Sequence, residues 1–201
     1  HYIDVHGMHF IKDTPIASLS GMPLKGKHNW QNILAAFAMA HIAGIPADKI
    51  IKAIHSFQGL KHRLEAVRHI KNVTFINDSK ATNAEATEKA IKAYQDKNIY
   101  IILGGQAKAD GLKSLQPLFY LIKKAYLIGE DANIFSETLK SEDVVHTISQ
   151  TLSIAVEDAY QDAKTDGHES IVLLSPSCAS FDQFKNFEER GNLFCDIVNE
   201  L

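Results

Sequence analysis

Seven mostly polar residues, NDSKATN at positions 77–83, directly follow the apolar run 73–76. Asn, Asp and Ser are typical of turns because their short side chains hydrogen-bond to nearby backbone groups. A turn does not require Lys80 or Thr82, which add a cation and a hydroxyl group at the same place. The stretch is therefore a candidate binding site as well as a candidate turn.

Two other polar stretches follow apolar runs in the same way, GGQAKADG at 104–111 and SPSCASFDQFKNF at 175–187. Taken together, the three stretches contain lysines, hydroxyl groups and glycines that expose backbone amides. The side chains concerned are Lys80, Lys108, Lys185, Thr82, Ser175, Ser177 and Ser180. Such donors suit an anion, most simply a carboxylate or a phosphate. A single lysine is more often a solvated surface charge, so this prediction depends on the three stretches meeting.

The elements that would bring these stretches together are the alternating apolar strands and helices after Gly59. This alternation predicts an α/β, Rossmann-like fold, with a mostly parallel sheet and helices on both of its faces. Ligands of such sheets bind beyond the carboxyl ends of the strands. The predicted strands are 64–70 and 73–76, which form a hairpin, then 99–103, 125–128, 144–147 and 170–174. The predicted helices are 84–95, 112–124, a short one after 131, 151–164 and one from 187.

The first 57 residues follow a different pattern. It predicts a strand pair at 1–12 with a turn at Gly7, a loop at 24–32 and two helices, of which the second covers 47–57. Two helices and a small piece of sheet are too little for a complete α/β domain. We therefore expect residues 1–57 to be the end of a domain that begins outside this sequence, and residues 58–201 to be a second domain.

The composition excludes several classes of protein. A net charge of −3, from 21 basic and 24 acidic residues without a basic block, argues against a nucleic-acid or membrane-surface partner. No apolar run reaches the ~18 residues that a membrane helix needs, and no signal peptide is visible. Cys178 and Cys195 form neither a metal motif nor a disulfide framework, so we expect buried, reduced thiols in a cytoplasmic protein.

Several motifs come close to known sites without matching them. GMPLKGKH, residues 21–28, resembles a phosphate loop, but His28 stands where that loop requires a hydroxyl group. GGQAKADG lacks the glycine spacing of a dinucleotide loop, and the serines lack the nucleophile elbow of hydrolases. The histidines at positions 1, 6 and 9 fit an exposed strand pair better than a metal site, and no metal site is predicted. Cys178 is expected to be a small packed residue rather than a nucleophile.

Five segments resemble the Mur ligase family and occur in the family's order. They are GKHNWQN (26–32), GLKHRLE (59–65), NDSKATN (77–83), GGQAKAD (104–110) and LLSPSCASFDQFKNFEERG (173–191). The resemblance covers essentially the whole chain. GLKHRLE indicates only the wider family, which includes folylpolyglutamate synthases, whereas the third and fifth segments are similar to its D-glutamate-adding member.

The resemblance implies a protein of three domains. Residues 1–57 would be the C-terminal remnant of the central ATP-binding domain, and residues 58–201 the Rossmann-like C-terminal domain that binds D-glutamate. The family's phosphate loop, magnesium ligands and carbamylated lysine are not in this sequence. The isolated chain is therefore expected to hold no cofactor and to have no ligase activity.

A reaction is also implied by the resemblance. ATP, with magnesium, phosphorylates the carboxylate of UDP-N-acetylmuramoyl-L-alanine, and the amine of D-glutamate attacks the acyl phosphate to form an amide. This would be a step of peptidoglycan precursor synthesis, carried out by a monomer in the bacterial cytoplasm. Two alternatives stay open: another amino-acid ligase of the Mur or folylpolyglutamate synthase type, and a non-catalytic carboxylate-binding module.

Residue roles follow from the family pattern. Thr82 and Lys108 would hold the side-chain carboxylate of D-glutamate, and Ser180 and the backbone around Phe187 its α-carboxylate. Lys80 would be the catalytic residue, because its charge offsets negative charge on the reacting phosphate or carboxylate. The implied ATP-binding residues are His28, Asn29 and Asn32 beside the adenine, Arg63 at a phosphate and Asp78 at the ribose.

Overall fold

The computed structural model of the chain describes residues 2–3, 8–11, 14–18, 28–108 and 111–201. The chain divides into two compact units, His1–Gly59 and Leu60–Leu201. Identifying the first unit with the end of a central ATP-binding domain stays a prediction. Within the described residues, no helix is both long enough and apolar enough to cross a membrane.

The described residues of the first unit form three short strands and two helices. Helix α1 (His28–Ile42) is followed by Gly44, whose φ of 85° is a left-handed conformation that glycine adopts at little cost. The second helix is α2 (Ala47–Ser56). The predicted loop at 24–32 is wrong from His28 onward, where α1 begins, and the predicted turn at Gly7 lies outside the described residues. The strands pair antiparallel in chain order, as β1 (Tyr2–Ile3), β2 (Met8–Ile11) and β3 (Thr14–Ser18).

The second unit is built on a mixed sheet of six strands. They are β4 (Glu65–Ile70), β5 (Val73–Asn77), β6 (Asn98–Gly104), β7 (Ile122–Ile128), β8 (His146–Gln150) and β9 (Ser170–Leu174). Their order across the sheet is β4–β5–β9–β6–β7–β8. The first pair is an antiparallel hairpin, and all the other neighbouring strands are parallel.

Helices cover both faces of this sheet. The buried side chains of β6 alternate between two hydrophobic clusters, with Ile101 and Leu103 in one and Tyr100 and Ile102 in the other. Since both faces are buried, the strand reads as a continuous apolar run, and the predicted fold is confirmed. The first cluster is completed by α3 (Ala84–Ala93), a 3₁₀ helix (Lys113–Leu121) and α4 (Ala132–Ser141). The second is completed by α5 (Leu152–Asp166) and α6 (Phe187–Glu200).

One segment of the second unit differs from its prediction. In place of a helix over 112–124, the 3₁₀ helix ends at Leu121 and β7 already begins at Ile122. Pro117 lies inside this helix and has no N–H to donate. Ile122 instead pairs with Ile99 of β6. The predicted strand at 144–147 is also shifted, because β8 runs from His146 to Gln150.

Candidate functional site

The three polar stretches lie together at one edge of the sheet. β5, β9 and β6, which precede them, are parallel neighbours, so their carboxyl ends lie side by side. Ser177 donates its N–H to Ala81 O at 2.9 Å, and Gln106 and Ala179 exchange two backbone hydrogen bonds of 3.0 and 3.1 Å. The predicted meeting of the stretches is confirmed. We call residues 78–83, 104–108 and 175–187 the rim.

Asp78, the first rim residue after β5, is buried, and both its backbone N–H and its carboxylate form hydrogen bonds. Its N–H donates to Leu174 O at 2.8 Å. Its two carboxylate oxygens accept from Leu64 N–H at 3.1 Å and from the Ser175 hydroxyl at 2.9 Å. Burial raises the pKa of this carboxyl to about 7, although both hydrogen bonds act in the opposite direction. Asp78 thus joins three segments of the unit, and its contact with a ribose stays a prediction.

Lys80 and Phe187 are in direct contact, although they belong to different stretches. The Lys80 ammonium lies 3.9 Å from the centroid of the Phe187 ring, which is a cation–π geometry. Phe187 is the first residue of α6, and the preceding Asn186 caps the helix by accepting from Glu189 N–H at 2.8 Å. The first amides of a helix have no partner inside it. A cation and a helix start therefore lie next to each other.

Four of the rim side chains predicted to bind or act on the substrate carry donors that the described part of the chain does not use. Neither ammonium group, on Lys80 or on Lys108, has a hydrogen bond or an ion pair there, and both residues are exposed. The hydroxyls of Thr82 and Ser180 likewise make no hydrogen bond within the described residues. The Lys185 ammonium and the buried Ser177 hydroxyl also lack such partners within the described residues. The rim therefore combines several cations with several hydroxyl groups, which is a donor set for an anion.

The Lys108 stretch is shaped by two glycines and one carboxylate. Gly104 and Gly105 have φ values of 130° and 125°, and a Cβ on either would overlap a backbone carbonyl oxygen of a neighbouring segment. Ala107 donates its N–H to the Asp131 carboxylate at 2.7 Å. Asp131 follows β7, so a neighbouring strand end fixes the backbone next to Lys108. Asp131 is not among the residues predicted from the sequence.

A second unpredicted residue is Arg190 on α6, of which only 1% is exposed. Its Nε donates to the Ser79 hydroxyl at 3.0 Å, and its Nη2 donates to Ser79 O at 2.9 Å and to Cys178 O at 3.1 Å. Its Nη1 is buried without a partner in the described residues. The available signal was helical spacing, because Arg190 is in phase with the buried Phe194 and Val198.

Charge is the unusual property of this arginine. Burial lowers the pKa of the Arg190 guanidinium to about 10, so the group is protonated at neutral pH. Among the described residues, no carboxylate lies within ion-pair distance of it. A positive charge is therefore held between two strand ends of the rim without a direct ion pair, and the Asp182 carboxylate acts on it only from a longer distance.

Three further rim residues that were named from the sequence have no predicted substrate contact. Cys178 is fully buried, and burial raises the pKa of its thiol to about 12. Its burial confirms the prediction of a packed residue. A thiol that stays neutral is also a poor nucleophile. Ser177 has a φ of 62° and a buried hydroxyl without a partner in the described residues, while Lys185 is exposed.

The five residues predicted to contact ATP fall in both units. Asn29 and Asn32 lie on the first turns of α1, where Asn32 Nδ2 donates to Asn29 Oδ1 at 3.2 Å, and His28 begins the same helix. Arg63 is exposed beside the start of β4, and Asp78 is on the rim. In the described residues, no group of three or more acidic, histidine or cysteine side chains could hold a metal ion.

The sequence matches a known family and known relatives. Residues 62–178 match the family model described as "Mur ligase, glutamate ligase domain". The UDP-N-acetylmuramoylalanine–D-glutamate ligase of Caulobacter vibrioides is 51% identical over 185 residues, which cover 91% of this chain and 38% of the relative. The enzyme of the same name from Bradyrhizobium diazoefficiens is 50% identical over 188 residues, covering 92% and 40%. The chain thus spans about two fifths of the length of the curated relatives that it matches.

Solved structures show the same fold at low sequence identity. The ligase MurC from Thermotoga maritima aligns with a TM-score of 0.64 and 15% identity, over 89% of this chain and 39% of its own. MurF ligase from Thermotoga maritima, in complex with ADP, aligns with a TM-score of 0.59 and 17% identity, over 87% and 39%. At this level of identity the likeness supports the fold.

Proposed function

Because this chain belongs to the Mur ligase family, through its glutamate ligase domain, we propose that it is the amino-acid-binding part of a D-glutamate ligase. The complete enzyme adds D-glutamate to UDP-N-acetylmuramoyl-L-alanine, with ATP as the energy source, in the synthesis of peptidoglycan precursors. The name shared by the relatives at 50% and 51% identity supports this substrate pair. In this proposal, the complete enzyme works as a monomer in the bacterial cytoplasm.

The observation that carries this proposal is the set of unused donors on the rim. D-Glutamate carries two separated carboxylates, and each needs hydrogen-bond donors that the protein does not satisfy internally. The Thr82 hydroxyl and the Lys108 ammonium bind the side-chain carboxylate. The Ser180 hydroxyl and the amide of Phe187 bind the α-carboxylate. All four lie on strand ends or helix starts that the sheet brings together.

Lys80 is the candidate catalytic residue in this scheme. Transfer of the ATP γ-phosphate to the alanine carboxylate gives an acyl phosphate, and attack by the D-glutamate amine then expels phosphate and forms the amide. Negative charge develops on oxygen in both steps, and a nearby ammonium stabilises it. The contact between Lys80 and the Phe187 ring supports this role, because it holds the ammonium beside the amino-acid site.

Nucleotide binding is assigned to residues of both units. In the proposal, His28, Asn29 and Asn32 contact the adenine, Arg63 a phosphate and Asp78 the ribose. Magnesium, which the family's reaction requires, has no fitting cluster of ligands among the described residues. The proposed contribution of these five residues to ATP binding is through hydrogen bonds and charge.

The test is ADP release by the complete ligase that contains this chain. We expect release only when ATP, UDP-N-acetylmuramoyl-L-alanine and D-glutamate are all present. L-Glutamate and L-lysine serve as matched amino acids, since the first changes only the stereochemistry and the second replaces the side-chain carboxylate by an ammonium. Faster ADP release with L-lysine than with D-glutamate would identify another amino-acid ligase. No ADP release with any of the three amino acids would indicate a non-catalytic carboxylate-binding module.

A further inference from the structure

Arg190 connects the strand ends of the rim to the start of α6. The Ser79 hydroxyl accepts from Arg190 Nε at 3.0 Å and donates to Phe187 O at 2.8 Å, so one hydroxyl joins the arginine to the first residue of the helix. Arg190 Nη2 binds the carbonyl oxygens of Ser79 and Cys178. We call Arg190, Ser79, Phe187 and Cys178 the clamp.

Each clamp contact lies next to a residue proposed to bind substrate. Ser79 directly precedes Lys80, whose ammonium lies over the Phe187 ring. Cys178 lies two positions before Ser180 in the chain. The planar guanidinium offers donors in a fixed fork, so it sets the distance between these backbone segments. A loss of the fork would let Lys80, Ser180 and the Phe187 amide move relative to one another.

The charge of Arg190 also calls for an explanation. Burying an ion without a counter-ion is costly, and an apolar side chain of similar length would avoid that cost. Within the described residues, the clamp supplies only neutral acceptors to this arginine. Asp182 acts on it only from a distance, so its positive charge can also act on an anion bound at the rim, where the surrounding protein screens it less than water does.

We propose that Arg190 is a positioning residue for D-glutamate: it holds Lys80, Ser180 and the Phe187 amide in place, and its buried charge strengthens the attraction of the rim for the two carboxylates. This inference rests on the proposed function. It concerns a residue that lies under the binding surface and does not itself touch the substrate.

The experiment uses the complete ligase and four variants. Arg190→Met removes the charge and the fork, and Arg190→Lys keeps the charge and loses the fork. Ser79→Ala removes the hydroxyl that joins Arg190 Nε to Phe187 O and leaves the arginine itself in place. Arg68→Met is the matched control, because Arg68 also binds α6 but at its other end, through the carbonyl oxygens of Val198 and Asn199 at 2.9 Å each. The KM for D-glutamate, the KM for ATP, kcat and Tm are measured for each.

For Arg190→Met, we expect the KM for D-glutamate to rise about tenfold to a hundredfold, since misplacement of binding groups by about 1 Å has effects of that order. The KM for D-glutamate of Arg190→Lys should lie between those of Arg190→Met and the wild type. Ser79→Ala should also raise the KM for D-glutamate. The KM for ATP should stay unchanged in all of them, and Arg68→Met should behave as the wild type. A merely structural role would lower Tm and the active fraction, and therefore kcat, without moving KM.

The proposal is overturned if Arg190→Met and Ser79→Ala both keep the wild-type KM for D-glutamate, or if both substrates are affected alike. Should Arg190→Met fail to fold, Ser79→Ala decides alone, because it removes a single hydroxyl group. A wild-type ligase without D-glutamate-dependent ADP release would overturn the proposed function, and this inference with it. Normal wild-type activity with unaffected variants would overturn only the role of Arg190.

Discussion

Lys108 is an exposed cation whose ammonium makes no hydrogen bond or ion pair within the described residues. In the complete ligase, we predict that Lys108→Ala raises the KM for D-glutamate far more than the KM for ATP. An ammonium–carboxylate hydrogen bond is worth roughly 1.5–3 kcal/mol, so the increase should be about tenfold to a hundredfold. Steady-state kinetics with each substrate varied in turn measures it.

Lys113→Ala is the matched control for this measurement. Lys113 is an equally exposed lysine at the start of the 3₁₀ helix, where no substrate contact is proposed. Its replacement should leave both constants unchanged. If Lys108→Ala raised the KM for ATP and the KM for D-glutamate equally, Lys108 would not be a D-glutamate-binding residue.

The buried carboxyl of Asp78 predicts an unusual pH dependence of stability. Its pKa is about 7 in the folded chain and about 4 in an unfolded one. Between these values the folded state holds a proton that the unfolded state has released. Stability therefore falls as pH rises through this window and is constant above it. Asp78→Asn, which is neutral at every pH, should gain stability relative to the wild type across the window, by up to about 4 kcal/mol at neutral pH.

Urea unfolding of the 201-residue chain, at several pH values between about 4 and 8, measures this difference. The comparison of two variants cancels the contributions of all other titrating groups. Asp96→Asn controls for the loss of one negative charge, because Asp96 is exposed. A difference between Asp78→Asn and the wild type that does not change with pH would show that Asp78 is ionised throughout.

At the scale of elements, the end of β7 supports the end of β6. Asp131 accepts from Ala107 N–H at 2.7 Å, and we predict that Asp131→Ala raises the KM for D-glutamate by loosening the backbone beside Lys108. Asp131→Asn keeps an oxygen acceptor and should retain most of the wild-type affinity. The loss should be smaller than that in Lys108→Ala, because the ammonium itself is still present.

A double-mutant cycle tests whether Asp131 affects the KM for D-glutamate through Lys108 or independently of it. If Asp131 acts through Lys108, then Asp131→Ala should change nothing further in a Lys108→Ala background. Additive effects of the two substitutions would mean that Asp131 contributes to binding by another route, or to folding alone.

Elements with a strong local pattern were predictable from the sequence. The strand β9 has its predicted bounds, and the hairpin of β4 and β5 forms around Lys71 and Asn72 as expected. The segment 112–124 was not predictable in this way, because its apolar residues fit a helix while pairing with β6 turns the last three into a strand. Local propensity favoured one structure there, and tertiary pairing selected the other.

The same limit applies to the site. The sequence predicted which stretches form the rim, since parallel strands place their exits on one edge. It did not predict the burial of Asp78 or of Arg190, because charged side chains are rarely buried. Their partners are also far away in the chain, as Ser79 and Arg190 are separated by 111 positions. Such contacts depend on how the strand ends and α6 pack.

At the scale of the whole molecule, the two units differ in how much they bury. In the first unit, the described helices contribute only Ile33, Phe37 and Ile50 to the buried apolar side chains, while Met39 and Ile42 are 67% and 83% exposed. In the second unit, both faces of the sheet belong to buried clusters. Few buried contacts lower the free energy that is needed for local opening.

We therefore predict faster amide hydrogen exchange in α1 and α2 than in β6 when the 201-residue chain is studied alone. The comparison uses rates corrected for the intrinsic exchange of each amide. The complete ligase is the decisive control. If residues 1–57 are the end of a central domain, the missing part should cover the exposed apolar side chains of α1 and slow exchange there, and leave β6 unchanged. Equal protection of α1 and β6 in the isolated chain would instead mean that the first unit is stable by itself, and the proposed domain boundary would be wrong.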